Sequence, residues 1–257
     1  MDSEQHLITH RRGAALWLTL NRPERRNALT VALVSDLADA VAGAGADPDV
    51  RTIVLAGNGP VFCAGGDLAD LSAIAERGAR AVTDVIYAQF HRLVRALSDS
   101  PLPVIAAVSG GAIGAGLDLA LCADLRVSSS EASYSSSWIG VGLVTGMGGS
   151  HLLTRAVGST RASEMVLLGR RISAEQALDW GLVNEVVGPD ALQARVDEVA
   201  GQLAGLSAAA LHSSKQSLRR AQSLGFEQEL AVLGATQGGL LTSQEFLDAT
   251  ARFRKKK

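Results

Sequence analysis

A chain of 257 residues that is 47% hydrophobic and 19% charged can bury a large core and is too apolar to be disordered. Its formal net charge of −2 gives no basis for nucleic acid as a main partner, and its two cysteines, Cys63 and Cys122, form neither a disulfide framework nor a metal spacing. With aromatics at 4%, the core has to be filled by Ala, Val, Leu and Ile in close layers, while 27 glycines shape turns.

Residues 14–20 alternate and are β-rich, which predicts a strand. Asn21-Arg22-Pro23-Glu24 is a turn, after which Asn27 or Thr30 caps a helix running to about Gly43. Asp47-Pro48-Asp49 breaks that helix, and 51–56 is an apolar, β-branched strand. Residues 67–75 read as a short helix and 78–99 as a long amphipathic one, stopped by Ser100-Pro101-Leu102-Pro103. A buried strand at 104–108, a helix at 116–122 and a strand beginning at 124–128 follow. Glycines 140, 142, 146, 148 and 149 mark a loop before a helix at about 150–156. Ser173-Ala174-Glu175-Gln176 is a capping box opening another helix; Gly181 ends it, and Leu182 to Val187 is a further strand. Beyond about 190 the pattern is helical only. The class is therefore α/β, with strand-strand-helix units over 1–195 and a helical segment over 196–257. Residues 1–10 carry acidic groups and no apolar run, so a signal peptide is not expected and a cytoplasmic location is. The apolar stretch Pro101 to Cys122 holds prolines, glycines and Asp118, which favour a buried strand, turn and helix over a membrane span.

Two glycine-rich turns lie about fifty residues apart: Phe62-Cys63-Ala64-Gly65-Gly66-Asp67-Leu68 and Ser109-Gly110-Gly111-Ala112-Ile113-Gly114-Ala115-Gly116-Leu117-Asp118. Each follows a buried-strand pattern and leads into a helix. Two such units can aim two free backbone N–H groups at one point, which is how an oxyanion hole is built from main chain alone. Taken singly, such glycines equally mark close packing of turn against helix.

These turns, with Asn21-Arg22-Pro23, Arg26-Asn27-Ala28-Leu29, Pro103 to Val108, Thr154-Arg155-Ala156-Val157-Gly158, Glu164 to Gly169 and Ala177 to Val183, resemble the crotonase (enoyl-CoA hydratase/isomerase) superfamily, in order over nearly the whole chain. The resemblance implies a spiral of ββα turns and a helical C-terminal segment used to form a homotrimer or dimer of trimers. It implies an acyl-CoA thioester as substrate, with coenzyme A as part of that substrate and no separate cofactor. It places the oxyanion donors on the N–H groups of Gly66 and Ala115, the second usually a glycine in the family. It puts CoA contacts near Arg26, Ala28, Ala64, Gly66, Asp67 and Leu68. The chemistry fits: proton removal beside a thioester carbonyl, or attack on it, drives negative charge onto the oxygen, where fixed donors stabilise it.

The pattern departs at the acid/base positions. Hydratases of this family use two glutamates, and its double-bond isomerases commonly rely on the second; here Asp118 stands at the first place and Trp138 at the second. Asp118 is either an acid/base or a carboxylate stabilising a helix start. Trp138 is a pocket-wall or core aromatic, or its N–H orients a substrate. His91 with Trp138 resembles the aromatic pocket of the 4-chlorobenzoyl-CoA dehalogenases, but their aspartate nucleophile is replaced by Gly146 after Thr145. Otherwise His91 is a solvated helix residue sharing a face with Tyr87. His6 and His10 lack a third ligand, so no metal is expected, and Asp70 and Glu131 find no role. The basic end, Arg254 to Lys257, is a solvated tail or a phosphate contact. The expected activity is enolate-stabilising acyl-CoA chemistry of the hydratase/isomerase type. Trp138 leaves open a thioester hydrolase with water held by His91, or an acyl-CoA binding protein without catalysis.

Overall fold

In the computed structural model the described residues are 5–221 and 223–254, so Lys255 to Lys257 of the basic end lie outside them. The apolar β-branched runs build the main sheet. β1 (Leu7–Arg12) and β2 (Ala15–Leu20) pair antiparallel. β3 (Thr52–Gly57), β4 (Val104–Val108), β6 (Leu125–Ser129) and β9 (Glu185–Val187) add in parallel, in the spatial order β1-β2-β3-β4-β6-β9. β4 is buried at every position, because helices cover both of its faces, and so it reads as a continuous apolar run. A smaller sheet beside it joins β5 (Gly111–Ile113), β7 (Ser133–Ser135) and β8 (Arg171–Ser173).

On one face, α1 (Val31–Ala44) and α4 (Ala88–Asp99) pack through Leu33, Leu37, Val41, Phe90, Leu93 and Leu97. Thr30 caps α1 by accepting from the Leu33 N–H at 3.2 Å. Between them run α2 (Leu68–Ala75), α3 (Ala79–Ala81) and a π-helical segment (Val82–Tyr87) leading into α4. The core contains α5 (Ala115–Leu121), every residue of which is buried; this is why its sequence is small and apolar apart from Asp118. α6 (Gly149–Leu167) is interrupted at Gly158, whose φ of 79° and ψ of 163° are not helical. α7 (Ala174–Asp179) carries the expected capping box. α8 (Leu192–Ala204) covers the opposite face of the sheet, where Leu192, Val196 and Ala200 meet Trp17, Val54, Ile105 and Val127.

The chain then leaves the sheet through α9 (Ala208–Arg220), α10 (Phe226–Leu241) and α11 (Gln244–Arg254). α9 is held by Lys215, whose Nζ donates to the carbonyls of Leu97 and Leu102 and pairs with Asp124 at 2.8 Å. The division at residue 195 falls inside α8, which seats on the sheet. Among the described residues no helix is long and apolar enough to cross a membrane.

Three expectations are corrected. β1, LITHRR, has an exposed edge-side pattern and was not expected as a strand. The strand expected over 182–187 is confined to Glu185–Val187; the Leu182 and Val183 N–H groups instead both bond the Ala177 carbonyl and close the end of α7. The helix expected to end near 156 continues past Gly158 to Leu167.

Candidate active site

The first turn is held from the side by the loop at 22–29. Asn27 is fully buried at φ 56°; its Oδ1 accepts from the Arg22 N–H at 2.9 Å and its Nδ2 donates to the carbonyls of Asn58 and Val61. The Leu29 N–H donates to Gly65 O at 2.8 Å, the Asp67 N–H to Leu29 O at 2.9 Å and the Ala64 N–H to Arg26 O at 2.9 Å. The segments 26–29 and 64–68 therefore lie side by side, which brings Arg26, Ala28, Ala64, Gly66, Asp67 and Leu68 together.

Asp67 already has partners there. Its carboxylate caps α2 through the Ala69 and Asp70 N–H groups and pairs with Arg22 at 3.0 Å. Burial raises its pKa, but hydrogen bonds from Arg22, Asp70 and Ala69 outweigh this, and the group lies below the usual carboxylate value. Asp70 accepts from the Val31 N–H at 2.9 Å at the start of α1.

The second turn interlocks with the first. The Cys63 N–H donates to Gly111 O and the Ile113 N–H to Cys63 O, both at 3.0 Å. A Cβ at Gly116 would collide with the Cys63 carbonyl, and one at Gly110 with the Pro60 carbonyl. A Cβ at Gly65 would sit 3.0 Å from Ile113 O and 3.6 Å from the Ala115 nitrogen. Glycine is thus required by close approach, and that approach sets Gly65 and Gly66 beside the start of α5. Gly114, at φ 55°, turns the chain into α5, leaving the Ala115 N–H ahead of the first helical hydrogen bond. Among the described residues neither the Gly66 nor the Ala115 N–H has an acceptor. Two free amides at adjoining turns, one on a helix start, suit a developing oxyanion.

Asp118 follows within the first turn of α5 and is 1% exposed. Burial pushes its pKa up to about 7, with the Met147 backbone N–H and the Trp138 indole N–H facing it and holding it down in part. Neither approach closes a full hydrogen bond: both carboxylate oxygens and the Trp138 Nε1 lack a well-aligned partner among the described residues. Gly149, the first residue of α6, lies against the carboxylate, where any Cβ would collide with it. The turn before α6 is closed by Thr145, whose Oγ1 accepts from the Ser150 N–H at 2.9 Å. Met147 and Gly149 are the parts of this site that residue-by-residue reading missed; the crowding of glycines at 146, 148 and 149 was their signal.

His91 is exposed on its helix and shares a face with Tyr87, as expected of a solvated helix residue, and it also reaches a neighbouring turn. Its Nε2 lies 3.0 Å from the Gly146 carbonyl and its ring packs 5.4 Å from that of Tyr87. The fold thus gathers Gly66, Ala115, Asp118 and Trp138, with His91 on the far side of the 145–149 turn. A cavity of about 410 Å³ lies elsewhere, among Leu121, Asp124, Arg126, Lys215 and Arg219, and none of Gly66, Ala115 or Asp118 lines it. Both cysteines are buried, and burial pushes each thiol up to about 12.

The sequence model of the family described as enoyl-CoA hydratase/isomerase matches residues 11–254. The chain is 38% identical over 225 residues to a 2,3-dehydroadipyl-CoA hydratase of Escherichia coli, covering 88% of this chain and 86% of that one. It is 34% identical over 226 residues to a 1,2-epoxyphenylacetyl-CoA isomerase of the same organism, covering 88% and 86%. Its fold is similar to the crystal structure of an enoyl-CoA hydratase from Polaromonas sp., with a TM-score of 0.92, 36% identity and coverage of 98% and 97%.

Proposed function

Since the chain belongs to the enoyl-CoA hydratase/isomerase family and acts on CoA thioesters, we propose that its reaction is a proton-shift isomerisation of an enoyl-CoA in which Asp118 is the sole acid/base. The thioester oxygen sits between the Gly66 and Ala115 N–H groups. The Asp118 carboxylate takes a proton from the acyl chain, and the electron pair moves onto the thioester oxygen as an enolate. The same carboxyl then returns the proton at the other end of the conjugated system, so the product has the mass of the substrate. Each oxyanion donor contributes on the order of 3 kcal/mol to such a step. A carboxyl with a pKa near 7 suits both halves, accepting and returning a proton at neutral pH.

The observation that carries this reading is the isolation of Asp118. Asp67 and Asp70 are engaged by Arg22 and by helix N-termini. Trp138, at the other acid/base position, offers only an indole N–H, which donates a hydrogen bond but transfers no proton. Hydration in this family uses two carboxylates, and this site supplies one. The two relatives named above divide between hydratase and isomerase. CoA is expected along Arg26, Ala28, Ala64, Gly66, Asp67 and Leu68, where Leu68 is 57% exposed. No cofactor beyond that CoA enters the proposal. A homotrimer or dimer of trimers would cover exposed apolar residues such as Phe226 and Leu241 on α10.

The test is incubation with 2- and 3-enoyl-CoAs in deuterated water, followed by mass spectrometry. A rearranged product of unchanged skeleton with exchanged hydrogen, lost in Asp118→Asn, supports the reading. Addition of one water overturns it in favour of hydration, and release of free CoA in favour of hydrolysis.

A further inference from the structure

The segment carrying two of the groups over Asp118 is rich in glycine and partly exposed. Gly142 and Gly148 have φ of 73° and 80°, Gly146 and Gly149 add backbone freedom, and Val144 is 79% exposed. Yet within it Met147 is 1% exposed and Gly149 is pressed against the carboxylate. From the end of the π-helical segment and the start of α4, two side chains grip the residue between the exposed part and the buried part. His91 Nε2 meets the Gly146 carbonyl at 3.0 Å. The Tyr87 ring fills the space that a Gly146 Cβ would need. The two rings are one helical turn apart and packed on each other, Tyr87 closing the π-helical segment, a distortion frequent at functional sites. A carbonyl oxygen only accepts, so His91 Nε2 carries the proton and donates. That nitrogen therefore has no lone pair for a substrate proton, and in this tautomer only Nδ1 carries one.

We propose that His91 is a positioning residue: by holding the Gly146 carbonyl it fixes the 145–149 turn, and with it the Met147 N–H and the Gly149 backbone that close over Asp118. The inference rests on the reading of Asp118 as the acid/base. It also explains why residue 146 is glycine: a Cβ there would push the turn off Tyr87. Among the described residues the groups facing Asp118 are the Trp138 indole N–H, the Met147 N–H and, just past the end of its own helix, the Cys122 thiol, with no charged side chain among them.

The experiment is a ¹³C NMR titration of the Asp118 carboxyl, identified by its absence in Asp118→Asn, in the full-length protein, His91→Ala and His91→Gln. Losing the fixed Met147 N–H removes a group that favours the ionised form, so the Asp118 titration should move upward in His91→Ala by about half a unit or more. The Gln side-chain amide can still donate to Gly146 and should return it. Turnover should fall about tenfold in kcat with little change in KM for His91→Ala, and recover in His91→Gln. Gly146→Ala, with His91 intact, should displace the titration in the same direction, and it serves as the readout if His91→Ala does not fold. Identical Asp118 titration in all variants overturns the proposal, as does His91→Gln behaving like His91→Ala. Full turnover in Asp118→Asn refutes instead the proposed reaction and leaves the titration readout of the turn intact.

Discussion

Replacing Asp118 by Asn should make the protein more stable as the pH rises, while its activity is lost. The folded carboxyl titrates near 7 against an ordinary 3.8, chiefly because burial disfavours its charge. The folded state therefore binds the Asp118 proton more tightly than the unfolded state does. Below about pH 4 the group is neutral in both states and costs nothing by this route. As pH climbs from about 4 to about 7 the unfolded chain ionises first, and folding loses stability until the folded group ionises too. At about 1.4 kcal/mol per unit, the full cost is on the order of 4 kcal/mol, of which about 3 kcal/mol accrues between pH 5 and pH 8. Asn has nearly the same shape and does not titrate, so its packing cost is common to both pH values and cancels. Urea unfolding of both proteins near pH 5 and near pH 8, at one protein concentration, should show the Asn variant gaining about 3 kcal/mol on the wild type between the two. Parallel stability curves would mean that Asp118 is solvated or paired in solution, and the acid/base reading would lose its physical basis.

Ala115→Pro removes one N–H from a helix position that tolerates proline, so kcat should fall by at least about a hundredfold with little change in Tm. Gly116→Ala drives a methyl into the Cys63 carbonyl; a loss of about 1–3 kcal/mol in thermal unfolding is expected, with activity falling as the two turns part. Lys215→Met strips a donor from the Leu97 and Leu102 carbonyls and leaves Asp124 with the Val104 N–H at 2.8 Å and Arg219 at 3.4 Å, costing about 3 kcal/mol or more in denaturant unfolding. Cys63 and Cys122, with thiols near 12, should resist iodoacetamide at about pH 8 in the native protein and react in urea.

What could be read from the residues depended on whether their burial was two-sided and their partners near in sequence. β3 and β4 were legible because they are covered on both faces, and α7 because its cap lies within four residues. β1 was not, since an edge strand of His and Arg has the composition of a loop. Leu182 and Val183 looked like strand because they are core residues, but a buried residue in a turn has the same apolar signature. The π segment was hidden because one wider turn hardly alters the apolar period. In the site, the turns and the substitution at 138 stood out in the motif order. The engagement of the Asp67 carboxylate by Arg22 did not, and the His91–Gly146 contact spans 55 residues that no local pattern connects.

The two free amides at Gly66 and Ala115 have an evolutionary consequence. Genetic change rewrites side chains, and a main-chain N–H survives every substitution except proline. The proposed oxyanion-binding half of this site is therefore nearly immune to point mutation, protected further by collisions that forbid larger residues at Gly110 and Gly116. The other half, the two places compared above with the family's acid/base positions, consists of single side chains, at 118 and 138, that one codon change can exchange. Such a scaffold keeps its grip on one kind of functional group while drifting between reactions. Overall similarity then tracks what is held, and the identity of two residues tracks what is done to it.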